Sequence, residues 1–140
     1  MSLFLPFQRA TLLIPSGTEN DPDRKHLFIL LTDPYPHPES NIKSSLIVSV
    51  SSLRPNLPHD PTCKLYSGDH PFIKHDSYVV YRSARIETAD KLINGVNQGI
   101  FNHKESLSGD IFARVCHGLG ESRFTAPAML KFYQLATAKP

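Results

Sequence analysis

A chain of 140 residues that is 40% hydrophobic and 20% charged has an ordinary globular composition and enough length to bury one core without staples. Its net charge of +2 is too small to demand a nucleic-acid partner, because a clustered patch matters more than a total. Two cysteines, Cys63 and Cys116, lie far apart without CxxC spacing, which argues against a secreted disulfide scaffold. The opening residues have no charged leader, and Pro6 and Arg9 interrupt the apolar run, so no signal peptide is expected. The longest apolar runs, such as residues 27–31, are far too short to span a bilayer. The expectation is a single domain, residues 1–140, in the cytoplasm and without a membrane partner.

Proline divides the chain. Ten of the twelve prolines lie at or before Pro71, and none falls between Pro71 and Pro127. Proline is excluded from helix interiors and central ladders, so the first half must consist of short segments separated by turns. Strands are predicted at residues 10–14, 26–32, 45–50 and 77–82, with a short one at 63–66, each rich in β-branched, aromatic or leucine side chains. Residues 27–31, Leu-Phe-Ile-Leu-Leu, show no polar alternation, so this strand should be covered on both faces. The proline-containing loop at 51–61 is long for a compact domain, and such loops are often functional.

From Glu87 the period changes. Thr88 is placed to cap a helix running to about Gln98. Leu107, Ile111, Val115 and Leu119 recur every four residues, giving the apolar face of a second helix, capped by Ser106 or Ser108 and ended by Gly118 or Gly120. Thr125 is expected to cap a third helix with Pro127 in its first turn. Strands followed by helices define an α+β domain. A small, strongly curved antiparallel sheet or barrel with C-terminal helices is the expected form, because such short strands must otherwise leave their edges open.

The densest polar stretch, residues 59–77, holds His59, Cys63, Lys64, His70, Lys74 and His75. Histidine exchanges protons near neutrality, and lysine can hold an anion or developing negative charge. His59, Cys63, His70 and His75 are metal-ligand types, but their spacing matches neither a zinc finger nor HExxH, and no metal is assigned. Cys116 sits on an apolar helix stripe and reads as packing. No GxSxG, P-loop or GxGxxG occurs. Basic residues stand at strand ends: Arg24 and Lys25 before one strand, Arg54 after another, Arg82 and Arg85 after a third. On one rim of a curved sheet they could gather phosphates, with Tyr66, Phe72, Tyr78 and Tyr81 as stacking surfaces.

The order of elements resembles the MazF/PemK family of toxin endoribonucleases. The resemblance rests on Arg24-Lys25-His26 leading into residues 27–31, on residues 46–50 ending in Ser51-Ser52, and on residues 75–86 with their basic exit. It implies an SH3-like barrel with helices, a homodimer, and cofactor-free, metal-independent cleavage of single-stranded RNA under the control of a small antitoxin protein. It also implies that Arg24 is the characteristic arginine and that Ser51 or Ser52 holds the hydroxyl position. The expected catalytic set is then Arg24 or Arg85 on the phosphate, His70 or His75 for proton transfer, and Ser52 for hydrogen bonding. Lys25, Ser51, Arg54, Lys74 and Arg82 are expected to bind substrate. The alternative from the same residues is a non-catalytic barrel module that binds nucleic acid or protein.

Overall fold

The computed structural model describes residues 3–16 and 24–138. Its strands and helices run in the order β1 (Thr11–Pro15), β2 (Lys25–Leu30), β3 (Tyr35–Pro36), β4 (Lys43–Ser52), β5 (Lys64–Leu65), β6 (Ser77–Thr88), α1 (Ala89–Asn97), β7 (Asn102–Lys104), α2 (Gly109–Glu121) and α3 (Pro127–Thr137). The strands form one strongly curved antiparallel half-barrel in the order β5-β6-β4-β2-β1-β7, with β3 pairing on β4. The chain is therefore α+β, as its strand-then-helix pattern predicts. No described helix is long and apolar enough to cross a membrane.

The unbroken apolar run of β2 explains the layering. Alternate residues point to opposite faces of a strand. Leu27, Ile29 and Leu31 join one core with Val48, Val79, Tyr81, Val115, Leu119 and Phe132, beneath α2 and α3. Phe28 and Leu30 join the other with Phe4, Leu12, Ile14, Ile47 and Leu92, beneath α1 and the N-terminal segment. Both faces of β2 are covered, but α1 is only nine residues long and hides just part of its face.

Curvature comes from β6. Its register on β4 shifts between Ile47, opposite Arg85, and Ser49, opposite Val80. Extra β6 residues bulge there, which bends and twists the sheet. Ser83 fills the gap: its Oγ donates to the Val80 carbonyl at 2.6 Å and accepts from the Ser49 amide at 3.1 Å.

Several boundaries differ from the pattern-based expectation. β6 continues past Arg82 to Thr88, because after the bulge Arg85 to Thr88 resume the ladder opposite Ile47 to Ser44; its late charges pair locally, Arg85 with Glu87 and Glu87 with Lys91, each at 3.0 Å. β3 and β7 carry no apolar pattern and exist through pairing alone. Thr88 caps α1 as expected, accepting from the Lys91 amide at 3.1 Å. α3 is capped at Ala126 rather than Thr125, since the residue before a proline is held extended.

α2 passes through both glycines to Glu121 instead of ending at them. Gly118 is there for packing. A Cβ on it would collide with the Tyr81 ring and hydroxyl, and that hydroxyl donates to the Val115 carbonyl at 2.7 Å. A Cβ on Gly120 would meet nothing within 4 Å. Gly118→Ala should therefore destabilise by about 1–3 kcal/mol through overpacking, whereas Gly120→Ala should stabilise by about 0.5–1 kcal/mol through helix propensity. Urea unfolding of both variants checks this, and equal effects would refute the packing role of Gly118.

Candidate functional site

Three strand ends meet at one edge of the sheet. Because β2 and β4 are antiparallel, Leu27 lies opposite Val50, so the start of β2 and the end of β4 are neighbours. Ser51 and Ser52 then pair with Tyr78 and Ser77 at the start of β6. Beyond this edge, the loop after β4 turns back through Asn56, which takes a positive φ of 69°, a conformation asparagine tolerates better than most residues. A cavity of about 290 Å³ results, lined by Ser16, Arg24, His26, Ser51, Ser52, Arg54, Leu57, Pro58, His59 and Tyr78.

Strand alternation decides which side chains share this face. Leu12, Ile14 and Ser16 follow one another along β1 at a period of two, as do Phe28 and His26 on β2, and Ile47, Ser49 and Ser51 on β4. The inner members of each series are core residues under α1; the outer, polar members line the cavity. The cavity is thus the part of the α1 face that α1 does not cover.

His26 has a defined environment. Its Nδ1 lies 2.5 Å from Ser16 Oγ, and the Ser16 hydroxyl donates to the Ile14 carbonyl at 3.3 Å. Either partner of the Ser16–Nδ1 contact can donate; in the tautomer with Nδ1–H donating to Ser16, the ring lone pair sits on Nε2. Burial, with the Arg24 and Arg54 guanidiniums nearby, lowers the His26 pKa from its ordinary value of 6.5. At neutral pH the ring is an uncharged proton acceptor beside two fixed cations. As pH falls through 6.5, an unfolded chain would protonate this residue before the folded one does, so stability declines toward the acid side.

A second cavity, about 330 Å³, opens on the other face of the same edge and shares Arg24, His26 and Ser52 with the first. Lys74, His75 and Phe72 line it, together with Lys25, whose Nζ donates to Asn102 Oδ1 at 2.6 Å. A third, about 480 Å³, continues from the first along β6 through the shared Pro58, His59 and Tyr78 and includes Arg82.

Of the expected residues, Arg24, Ser51, Ser52 and Arg54 surround the central cavity, Lys25, Lys74 and His75 the second, and Arg82 the third. His70 lies apart from these cavities. It is 2% exposed, its Nδ1 accepts the Phe72 amide at 3.0 Å, and its Nε2 lies 2.7 Å from the Glu105 carbonyl and 3.2 Å from Thr11 Oγ1. Nδ1 is used within its own loop and Nε2 ties that loop to Thr11 of β1 and to Glu105, and the ring lines none of the three cavities. Arg85 also lines none of them. It lies over the Phe28 ring at 4.8 Å and pairs with Glu87.

Cys63 is buried, and burial raises its pKa, which makes it a poor nucleophile. Among the described residues, no three His, Cys, Asp or Glu side chains are grouped to hold a metal ion. His26 and His59 were not assigned to catalysis by sequence reasoning. Period-two alternation from Arg24 would have found His26.

No protein-family model matches this chain, and no curated protein matches its sequence.

The two guanidiniums should add to the effect of burial in lowering the His26 midpoint. Arg54→Ala is expected to raise it toward 6.5, as is Arg24→Ala, in an NMR titration of the ring protons. A midpoint that ignores both changes would show that the arginines do not act on this imidazole.

Proposed function

We propose that the chain is a metal-independent endoribonuclease of the toxin type, cleaving single-stranded RNA in the central cavity. The observation that carries this reading is the convergence of Arg24, Arg54, Ser51 and Ser52 on the uncharged His26. Fixed guanidiniums suit a phosphodiester and the extra negative charge it gathers in the transition state. A proton-accepting imidazole at the same place supplies the base.

The chemistry is an internal displacement. His26 Nε2 takes the proton of a ribose 2′-hydroxyl, the 2′-oxygen forms a bond to the adjacent phosphorus, and the bond from phosphorus to the 5′-oxygen breaks. Arg24 and Arg54 stabilise the phosphorane charge, Ser52 hydrogen-bonds a phosphate oxygen, and His59 delivers a proton to the departing 5′-oxygen. The products are a 2′,3′-cyclic phosphate and a 5′-hydroxyl, so atoms and charge balance without a cofactor. His26 takes the role that sequence reasoning gave to His70 or His75. On this reading the protein works in the cytoplasm, is restrained by a small antitoxin protein, and assembles as a homodimer.

Incubation of the purified chain with mixed-sequence single-stranded RNA in excess EDTA is the direct assay. Cleavage with cyclic-phosphate ends is expected, falling by about 10²–10⁴-fold in His26→Asn through loss of the base. Absence of cleavage, or undiminished cleavage by an Arg24→Ala/His26→Asn double variant, would sink the enzymatic reading. Binding that persists without turnover, and weakens steeply with salt, would assign the cavity to a non-catalytic nucleic-acid-binding module instead.

A further inference from the structure

The cleavage chemistry draws only on the His59 wall of the third cavity and leaves the rest of it without a role. Its floor is the outer stretch of β6, where Tyr78, Val80 and Arg82 follow at a period of two on the face that carries His26. Its far wall is the turn between α2 and α3, with Arg123 and Phe124. The Arg82 and Arg123 guanidinium carbons lie 4.6 and 4.9 Å from the centroid of the Phe124 ring, so one aromatic ring holds two like charges close together. Neither arginine makes an ion pair among the described residues.

Two carboxylates share this cavity, and the field of Arg123 acts on one of them, Asp60. Asp60 accepts from Ser122 Oγ at 2.6 Å and from the Thr62 amide at 3.0 Å, and Glu121 lies 3.8 Å from His117. Facing these two carboxylates is the Arg82–Phe124–Arg123 stack, two guanidiniums gathered on one aromatic wall. That is the complement of a nucleotide, which joins an anion to a flat ring. The shared wall of His59 and Tyr78 sets this cavity directly beside the central one, and its volume of about 480 Å³ falls within the roughly 300–1,000 Å³ of small-ligand pockets.

We propose that the Arg82–Phe124–Arg123 cavity is a second nucleotide subsite. It takes the nucleotide next to the scissile phosphate, with phosphate on the two guanidiniums and base against Tyr78 and the Phe124 wall. This rests on the reading of the central cavity as an RNA site, and it means that the enzyme selects an extended strand over a lone dinucleotide.

The test measures binding of RNA with fluorine at every 2′ position, which cannot cyclise, in mixed-sequence lengths of two and five nucleotides. Wild type should bind the five-mer at least about tenfold more tightly than the two-mer. Arg123→Gln, an exposed change, should erase most of that difference while leaving two-mer affinity intact, and should reduce the salt slope by about 0.7 for the lost phosphate contact. Arg82→Gln gives the same readout from a strand instead of a turn. Equal loss for both lengths, or no loss in either variant, overturns the subsite. If wild type cleaves long RNA yet binds both lengths alike, the subsite alone fails. If it binds neither length and cleaves nothing, the central reading fails and takes the subsite with it.

Discussion

The fold depends on one constraint: β2 is apolar on both sides and must be roofed twice. Leu27 and Ile29 need the α2–α3 layer, and Phe28 and Leu30 need α1 with the N-terminal segment. A strand buried in this way can present polar groups only at its ends. The basic segment that opens β2 therefore emerges at the sheet edge, and antiparallel pairing brings the hydroxyl-rich end of β4 and the start of β6 to the same place. The site follows from the core, because the burial that stabilises β2 also fixes where its charges go.

The main strands and all three helices were legible because their signals are local. Residues 27–31 announced a doubly covered strand, and the four-residue spacing of Leu107, Ile111, Val115 and Leu119 announced α2. β3 and β7 left no signal, since strands of two and three residues without apolar alternation exist only through partners elsewhere in the chain. Gly118 misled because glycine near a helix end usually marks a left-handed cap. Here its missing side chain is space for Tyr81, a residue 37 positions earlier that no local pattern connects to it.

The histidines show the same division. His70, amid the densest polar stretch, looked the most chemical, yet it is spent on Thr11, Phe72 and Glu105. The partners of Nε2, Thr11 and Glu105, are distant in sequence, so neighbouring polarity could not reveal that this nitrogen was occupied. His26 looked like the tail of a basic triplet. Its position two residues beyond Arg24, on a strand whose inner members are core, puts it on the same face as that arginine, and sequence alone carries that relation. What sequence lacks is Ser16, which hydrogen-bonds the ring from the end of β1, and Arg54, which arrives from the long loop after β4.

The wall between the central and outer cavities joins these levels. His59 lies against Tyr78, with ring centroids 5.3 Å apart, so the far end of loop 51–61 is held to β6 by an aromatic contact, as its start is by the ladder through Ser51 and Ser52. The loop is pinned again at Asp60. Burial alone would raise that carboxyl, but hydrogen bonds from Ser122 and Thr62, with Arg123 nearby, hold its pKa below the ordinary 3.8. The carboxylate therefore stays ionised through neutrality, and its contribution to stability is present above that value and lost as pH falls through the lowered one. A loop fastened at two successive residues, to β6 and to the end of α2, holds Arg54 and His59 in place without filling the cavities they border. The proline-rich composition that keeps this segment out of regular structure thus supplies a connection between two arginine-lined hollows on one face.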